Sequence, residues 1–528
     1  MTMSFPLLAA DSVSPAVLVS IPMLICFFAL MIGVGLYCRK LSTSIDGFVL
    51  GGRTVGPWLT AFAFGTSYFS AVIFVGYAGQ FGWNFGLAST WIGLGNAFIG
   101  SLLAWMVLGR RTRVMTQHLG SKTMPDFFEK RYNSKALKSV ASFIVFVFLI
   151  PYTASLYNGL SSLFNNVFEI DYWVIVVVMA VLTGIYVIFG GYMATAINDF
   201  IQGIIMLVGI VTVVLAVLNQ NGGLTEAVRT LGEQAGAEYT STFGPNPVFL
   251  FFVVMLTSLG TWGLPQMVGK FYSIKDEDSI KKGTIISTVF AVVVAGGCYF
   301  LGGFGRLYRS QMTEGGYITE HGVLFDKVVP TMLADLAPVV VALIIVLVLA
   351  ASMSTLSSLV LTSSSTLTLD VVKPAVSRKK EMSDKHSVLT MRLFIVFFIA
   401  VSAAIAILKD TLWKDSVFIA QMMGVSWGAL AGAFLAPFLY GLYWRRTTRA
   451  AVAASFIFGT GLELIQLCIG VHLIDVRGIP VLEFIFTNSL YSGVFAMVGG
   501  LILVPIVSLL TQNTRPENVD DKFVCFEK

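Results

Sequence analysis

The chain is 528 residues long, 56% hydrophobic and only 12% charged, with a formal net charge of +5. Soluble proteins carry about 25% charged residues, so water is not the main solvent here, and no hydrophilic stretch is long enough to hold a separate catalytic module. The basic residues are not interleaved with aromatic readers, which argues against nucleic acid, and the five cysteines (Cys26, Cys38, Cys298, Cys468, Cys525) show neither metal spacing nor a disulfide pattern.

The N-terminal MTMSFPLLAADSVSP has no basic region before its apolar run and does not read as a cleaved signal peptide. Apolar runs of about 20 residues, each sufficient to cross roughly 30 Å of hydrocarbon, then recur to the end of the chain. Thirteen spans are expected, near 14–37, 57–83, 86–109, 137–164, 172–190, 194–217, 247–270, 283–303, 333–369, 390–408, 416–442, 449–470 and 484–510. Span 2 is interrupted: Gly65, Thr66, Ser67 and Ser70 cluster in its first half, followed by Gly76 and Gly79. The basic loop 110–135 contains Pro125, which is suited to opening a short interfacial helix ending near Tyr132. Asp199 lies near the start of span 6, where a carboxylate is either a functional group or a hydrated helix cap. The polar, Gly-rich loops 218–246 and 304–331 read as linkers or as gates.

Span 7 is interrupted like span 2, with Gly260, Gly263 and Pro265 at its centre. Span 9 carries AASMSTLSSLVLTSSST at 350–366, in which Ala351, Ser354, Thr355, Ser358, Thr362 and Ser365 share one helical face. Lipid offers those hydroxyls no partner, so they point at protein, water or an ion; glue between helices and an ion site are both open readings. Glu463 in span 12 reads as a structural pair or a water-facing group.

Of the 34 basic residues, 27 fall on the side where odd-numbered spans exit, Lys270 among them, and 7 on the other. The basic side is therefore expected to be cytoplasmic, with the N-terminus outside and the C-terminus inside. The chain reads as an all-α polytopic membrane protein. Two broken helices five spans apart suggest two five-span inverted repeats, spans 2–6 and 7–11. The expected units are an extra N-terminal span in 1–50, the first repeat in 51–220, the second in 246–445, and two accessory spans with a tail in 446–528.

Sodium is a hard cation that suits small cages of carbonyl and hydroxyl oxygens. A helix break near Thr66–Ser70 frees carbonyls, and Ser354 and Thr355 supply hydroxyls. No nucleophile elbow, zinc spacing, phosphate loop or acid–base pair is present, so an enzyme is not expected. Three readings follow: a sodium-coupled symporter of a small organic solute, a proton-coupled symporter of the same fold in which Asp199 titrates, and a channel or passive facilitator, against which the lack of a repeated filter or charged ring speaks.

Seven stretches in order, GGRTVGPW (51–58), SYFSAVIFVGYAG (67–79), TMPDFFEKRY (123–132), FGGYMATAINDFIQG (189–203), GLPQ (263–266), AASMSTLSS (350–358) and PFLYGLYWRRTT (437–448), resemble the sodium:solute symporter family over nearly the whole chain. The resemblance implies a leucine-transporter-like (LeuT-like) 5+5 inverted repeat and sodium-driven uptake across the plasma (inner) membrane, with sodium, a small-molecule solute and the lipid bilayer as partners and no obligate protein partner. By motif, the main sodium site would use the backbone carbonyls of Thr66, Phe69 and Ala351 with the hydroxyls of Ser354 and Thr355. A second sodium site, found in some members, would fall on Asp199, Ser354, Ser357 and Ser358. The solute site is placed at mid-membrane between the broken helices, with Tyr68, Ser70, Ile73, Tyr152, Thr261, Trp262 and Gln421 as candidate liners. Proline-transporting members carry Asp where this chain has Tyr68, and aromatics where it has Thr257 and Thr261. The INDFIQG and GLPQ stretches look closer to pantothenate-type members; the carboxylate, amino-acid-like and pantothenate-like solutes all remain candidates.

Overall fold

A chain in lipid satisfies its own N–H and C=O groups by coiling or by closing a barrel. This one coils: among the described residues the only strands are the two-residue pair Ile318–Thr319 and Gly322–Val323. The computed structural model describes residues 15–168, 170–320, 322–377, 382–412 and 418–527; the reading of the first 14 residues as uncleaved lies outside them. The main helices are α1 (Pro15–Tyr37), α2 (Pro57–Tyr68), α3 (Ala78–Phe85), α4 (Met124–Tyr132), α5 (Lys135–Phe168), α6 (Tyr172–Gln220), α7 (Pro247–Leu259), α8 (Pro265–Tyr272), α9 (Glu277–Ala291), α10 (Gly297–Gly302), α11 (Pro338–Thr366), α12 (Asp384–Leu412), α13 (Phe418–Tyr443), α14 (Arg449–Gly470) and α15 (Ser489–Leu510).

Ten helical stretches among the described residues are long and apolar enough to cross a membrane, or eleven if the bent pair Pro247–Gly263 and Pro265–Tyr272 is one span. The thirteen apolar runs are thus distributed differently from the expectation. Two of them share the 49 residues of α6, which would be about 74 Å long if straight. It is not straight: Gly191 adopts φ 56, ψ −147, open to a residue without Cβ, and its Cα faces the backbone of Phe48. Another run is divided between α2, too short to cross alone, and the continuous stretch Val72–His118.

The two interruptions have the same backbone. α2 ends where Phe69 becomes extended at φ −83, ψ 119, and α7 with its last turn ends where Leu264 becomes extended at φ −82, ψ 120. Helix resumes at once in both cases, Ile73 and Phe74 donating to Ser70 O at 3.0 Å and Pro265 opening α8. The second bend is 45°. α11 is buried along almost all of its length, with α1, α5, α6 and α12 packed on it. α13, α14 and α15 pack together, and α13 joins them to the rest of the helices through α5 and the Gly260–Gly263 turn. There Glu463 is buried against Gly428 with no ion pair among the described residues, so it is not the water-facing group that was one reading of its position.

Glycine permits one particularly close crossing. A methyl group on Gly82 of α3 would lie 1.9 Å from Gly302 O of α10, and one on Gly302 would lie 2.1 Å from Ala78 O. The obstruction is backbone and cannot rotate away, so Gly82→Ala must separate the two helices. The expected cost is about 3 kcal/mol or more, the upper end for overpacking. A Gly82→Ala protein with a wild-type thermal midpoint in detergent would contradict this packing.

Pro125 opens α4 as expected: Thr123 caps it by accepting from Asp126 N at 3.1 Å, and the helix ends at Tyr132. The C-terminal tail folds onto α4. Lys522 Nζ donates to Arg131 O at 3.1 Å and Asn133 Oδ1 at 2.8 Å, and Arg445 pairs with Asp520 (2.9 Å) and Glu527 (2.8 Å). Burial, and then the Arg131 and Arg449 guanidiniums, lower the Lys522 ammonium to about 8. An undocked lysine titrates near about 10.4, so the free tail binds more protons and docking strengthens as pH rises through about 8. Hydrogen exchange in residues 519–526, corrected for its intrinsic base catalysis, is expected to gain protection between about pH 7 and about pH 9. Lost protection over that window would contradict the assignment.

Candidate ion and solute site

The break at Phe69 removes the N–H that Thr66 O would meet one turn on, since Ser70 lies outside the helix. α11 passes beside this gap and fills it with hydroxyls. Thr355 Oγ1 stands 3.2 Å from Thr66 O, 3.1 Å from Phe69 O and 3.2 Å from Ala351 O. Ser354 Oγ stands 3.2 Å from Thr66 O and 3.0 Å from Ala351 O. All five residues named from the sequence are thereby brought to one point, and all are buried.

The arrangement has too many acceptors for its protons. Two hydroxyl protons face three carbonyl oxygens, each with two lone pairs. A cation relieves that imbalance. Around a hard ion of calcium's size, bonded at about 2.3–2.6 Å, neighbouring octahedral ligands lie roughly 3.3–3.7 Å apart. The observed spacings are slightly shorter, so a small expansion admits the ion. No acid stands among the five, so a cation here would be held without formal counter-charge.

The residues named for a second ion are only partly assembled. Ser354 is directed at the first group, and Ser357 Oγ donates to Ser354 O at 2.9 Å, on its own helix. Asp199 is fully buried, which excludes the hydrated cap. It meets Ser358 through a residue that sequence reasoning placed among the basic-side charges. Lys270 of α8 is 3% exposed, with Nζ 3.5 Å from Asp199 Oδ2 and 3.0 Å from Ser358 Oγ. Its one available signal was its place within two turns of the span 7 break.

The solute candidates divide. Tyr68 and Tyr152 converge on Trp427 of α13, with ring centroids 5.6 and 5.9 Å from the indole. Trp427 was not foreseen, although it is the one aromatic in the small-residue run GVSWGALAGA at 424–433. The phenol of Tyr68, the hydroxyl of Ser70, the phenol of Tyr152 and the indole N–H of Trp427 make no hydrogen bond of good geometry among the described residues. Tyr68 and Thr261 line a small, partly open cavity together with Phe64, Asn96, Met267 and Phe290; Ser70, Ile73, Tyr152 and Trp262 do not. Thr261 Oγ1 donates to Ser258 O at 2.8 Å and the Trp262 indole to Ile99 O at 3.0 Å, so these two spend their donors on the scaffold. Ile73 is buried, its carbonyl 3.8 Å from the Cys298 thiol. Gln421 belongs to α13, but its side chain lies outside the described residues.

A family model described as the sodium:solute symporter family matches residues 48–459. A sodium/proline symporter of Staphylococcus aureus is 29% identical over 504 residues, covering 93% of this chain and 92% of its own. Among solved structures, a Na+-coupled sialic acid symporter, described as substrate-bound, outward-open and revealing a novel Na+-site, is similar with a TM-score of 0.75 at 17% identity. That match spans 93% of this chain and 97% of the other, and at such identity it speaks for the fold alone.

Proposed function

Since the chain belongs to the sodium:solute symporter family and is thus a membrane transporter rather than an enzyme, we propose that it imports a small organic solute with sodium by alternating access. The observation that carries this reading is the meeting of Thr66, Phe69 and Ala351 carbonyls with the Ser354 and Thr355 hydroxyls. The ion joins a broken helix to α11, so its presence favours one arrangement of the two, and solute binding then permits closure. Each sodium moved inward down a 100 mV potential supplies about 2.3 kcal/mol before its concentration gradient is added.

Counting the two arms of α6 and the two broken spans as separate crossings gives thirteen. The matching dihedrals at Phe69 and Leu264 support repeats over 51–220 and 246–445. The basic face is cytoplasmic and the plasma membrane is the seat. The solute reading rests on the cavity's chemistry. Aromatic walls, the Tyr68 phenol and the Asn96 amide N–H suit a small amphipathic molecule, and no Arg or Lys lines the cavity. A solute carboxylate would then find its counter-charge in the neighbouring sodium. Amino-acid-like, pantothenate-like and other carboxylated solutes fit this description; proline is the solute of the Staphylococcus relative, and Tyr68 stands where proline-transporting members carry Asp.

The test is a panel of labelled amino acids, pantothenate and small carboxylates offered to proteoliposomes under an inward sodium gradient, under potassium, and in sodium-free acidic buffer. Accumulation confined to the sodium condition is expected. Equal accumulation in the sodium-free acidic buffer would replace sodium by protons, and solute flux without accumulation would identify a facilitator.

A further inference from the structure

Lys270 is the buried charge that the proposed cycle leaves unused. Its ammonium stands 3.5 Å from Asp199 Oδ2, donates to Ser358 Oγ at 3.0 Å, and lies 5.3 Å from the centre of the Tyr192 ring. Ser358 Oγ lies 2.8 Å from Ser67 Oγ, which donates to Ala63 O at 2.5 Å. The protons therefore run one way, from Lys270 to Ser358 to Ser67 to Ala63. Ser358 Oγ thus accepts from the Lys270 ammonium. Asp199 Oδ1 has no other partner among the described residues, so Lys270 is its counter-charge.

Resting on the sodium-symport reading, we infer that the Lys270 ammonium is the resident cation of the second cluster and keeps sodium out of it, so that the chain binds one sodium and not two. A sodium ion there needs the oxygens of Asp199 and Ser358, which the ammonium already holds. Adding the ion beside the ammonium gives the buried cluster an uncompensated positive charge, because only one carboxylate is present. The main cage offers no carboxylate and no ammonium, and a mobile ion is free to enter and leave it. Lys270 also joins the break-following helix α8 to α6 and α11 with a bond that does not depend on sodium. Beside it, a cavity partly open to solvent runs past Lys122, Gln266, Ser358 and Thr362. Lys270 and Ser358 line that cavity, so the charge an entering ion meets first is the ammonium.

Equilibrium binding of radioactive sodium to the purified full chain in nanodiscs, at mildly alkaline pH and without solute, tests this directly. One sodium per wild-type chain with a hyperbolic isotherm is expected. Lys270→Met leaves Asp199 without its cation and is expected to bind two, and Lys270→Met with Asp199→Asn to return to one. Two sodium ions on the wild-type chain overturn the inference whatever the variants do, as does a folded Lys270→Met chain that still binds one. No sodium on the wild-type chain overturns the main-site reading itself, and this inference with it.

Discussion

Replacing Ser354 and Thr355 together by alanine raises the sodium needed for half-maximal binding and uptake by roughly 10²-fold or more. The size follows from what each hydroxyl does. Hydrogen bonds and contacts to charged groups are worth about 1.5–3 kcal/mol each, and two of them at the lower limit give about 3 kcal/mol, a little over two factors of ten. Thr355 matters most, since its oxygen lies within 3.2 Å of three carbonyls drawn from both elements, Thr66 and Phe69 on one side and Ala351 on the other. Thr355→Ser keeps that oxygen and should leave sodium affinity within a few-fold of wild type, which separates loss of a ligand from loss of shape. Sodium binding to the purified chain gives the affinity; uptake at saturating sodium shows whether the transport machinery survives. Unchanged sodium dependence in the double variant would reduce the hydroxyl stripe to helix glue.

The parts of the site that were legible in the sequence are those written in local chemistry. Hydroxyls at helical spacing within an apolar run have one face to share, and Gly, Ser and Pro within a span mark where carbonyls come free. Both signals are short-range, and the five oxygens that meet come from them and from the family's motifs. Lys270 was illegible for a physical reason. A lysine near the end of a span normally extends to the interface, so its position alone says topology. Only the bend at Leu264 turns α8 inward and brings its ammonium to Asp199, 71 residues earlier in the chain. Trp427 was obscured similarly, because its contacts with Tyr68 and Tyr152 join three distant helices. The number of long helices is smaller than the number of apolar runs because hydropathy does not see whether the backbone between runs stays helical, as it nearly does through Gly191 in α6.

Lys138→Met is expected to destabilise the folded protein by about 3–5 kcal/mol, the cost of stripping one partner from a buried ion group. Lys138 Nζ reaches Asp126 Oδ1 at 2.9 Å, Glu129 Oε2 at 2.8 Å and Asp370 Oδ1 at 3.4 Å. It therefore holds α4 and the turn Leu367–Val372, which continues α11, against the start of α5. Asp126 keeps Lys130 when Lys138 is removed, at 2.9 Å, but among the described residues Asp370 keeps only the Thr123 hydroxyl, at 2.6 Å. The loss should fall mainly on Asp370, and Asp370→Asn in the Lys138→Met background should recover a large part of it. Acid acts on the same cluster. Burial alone would raise the Asp126 carboxyl, but Lys138 and Lys130 outweigh it and hold the group below its ordinary value. Its contribution is then present above about pH 3.9, where the free carboxylate ionises, and is lost as pH falls further through the lowered value. Thermal unfolding of the purified chain, followed for wild type, Lys138→Met and the double variant, measures these differences. A Lys138→Met protein that unfolds with wild type, or a double variant no better than the single, would mean that solvent already screens the three carboxylates and that the apolar contacts around α4 hold this corner together.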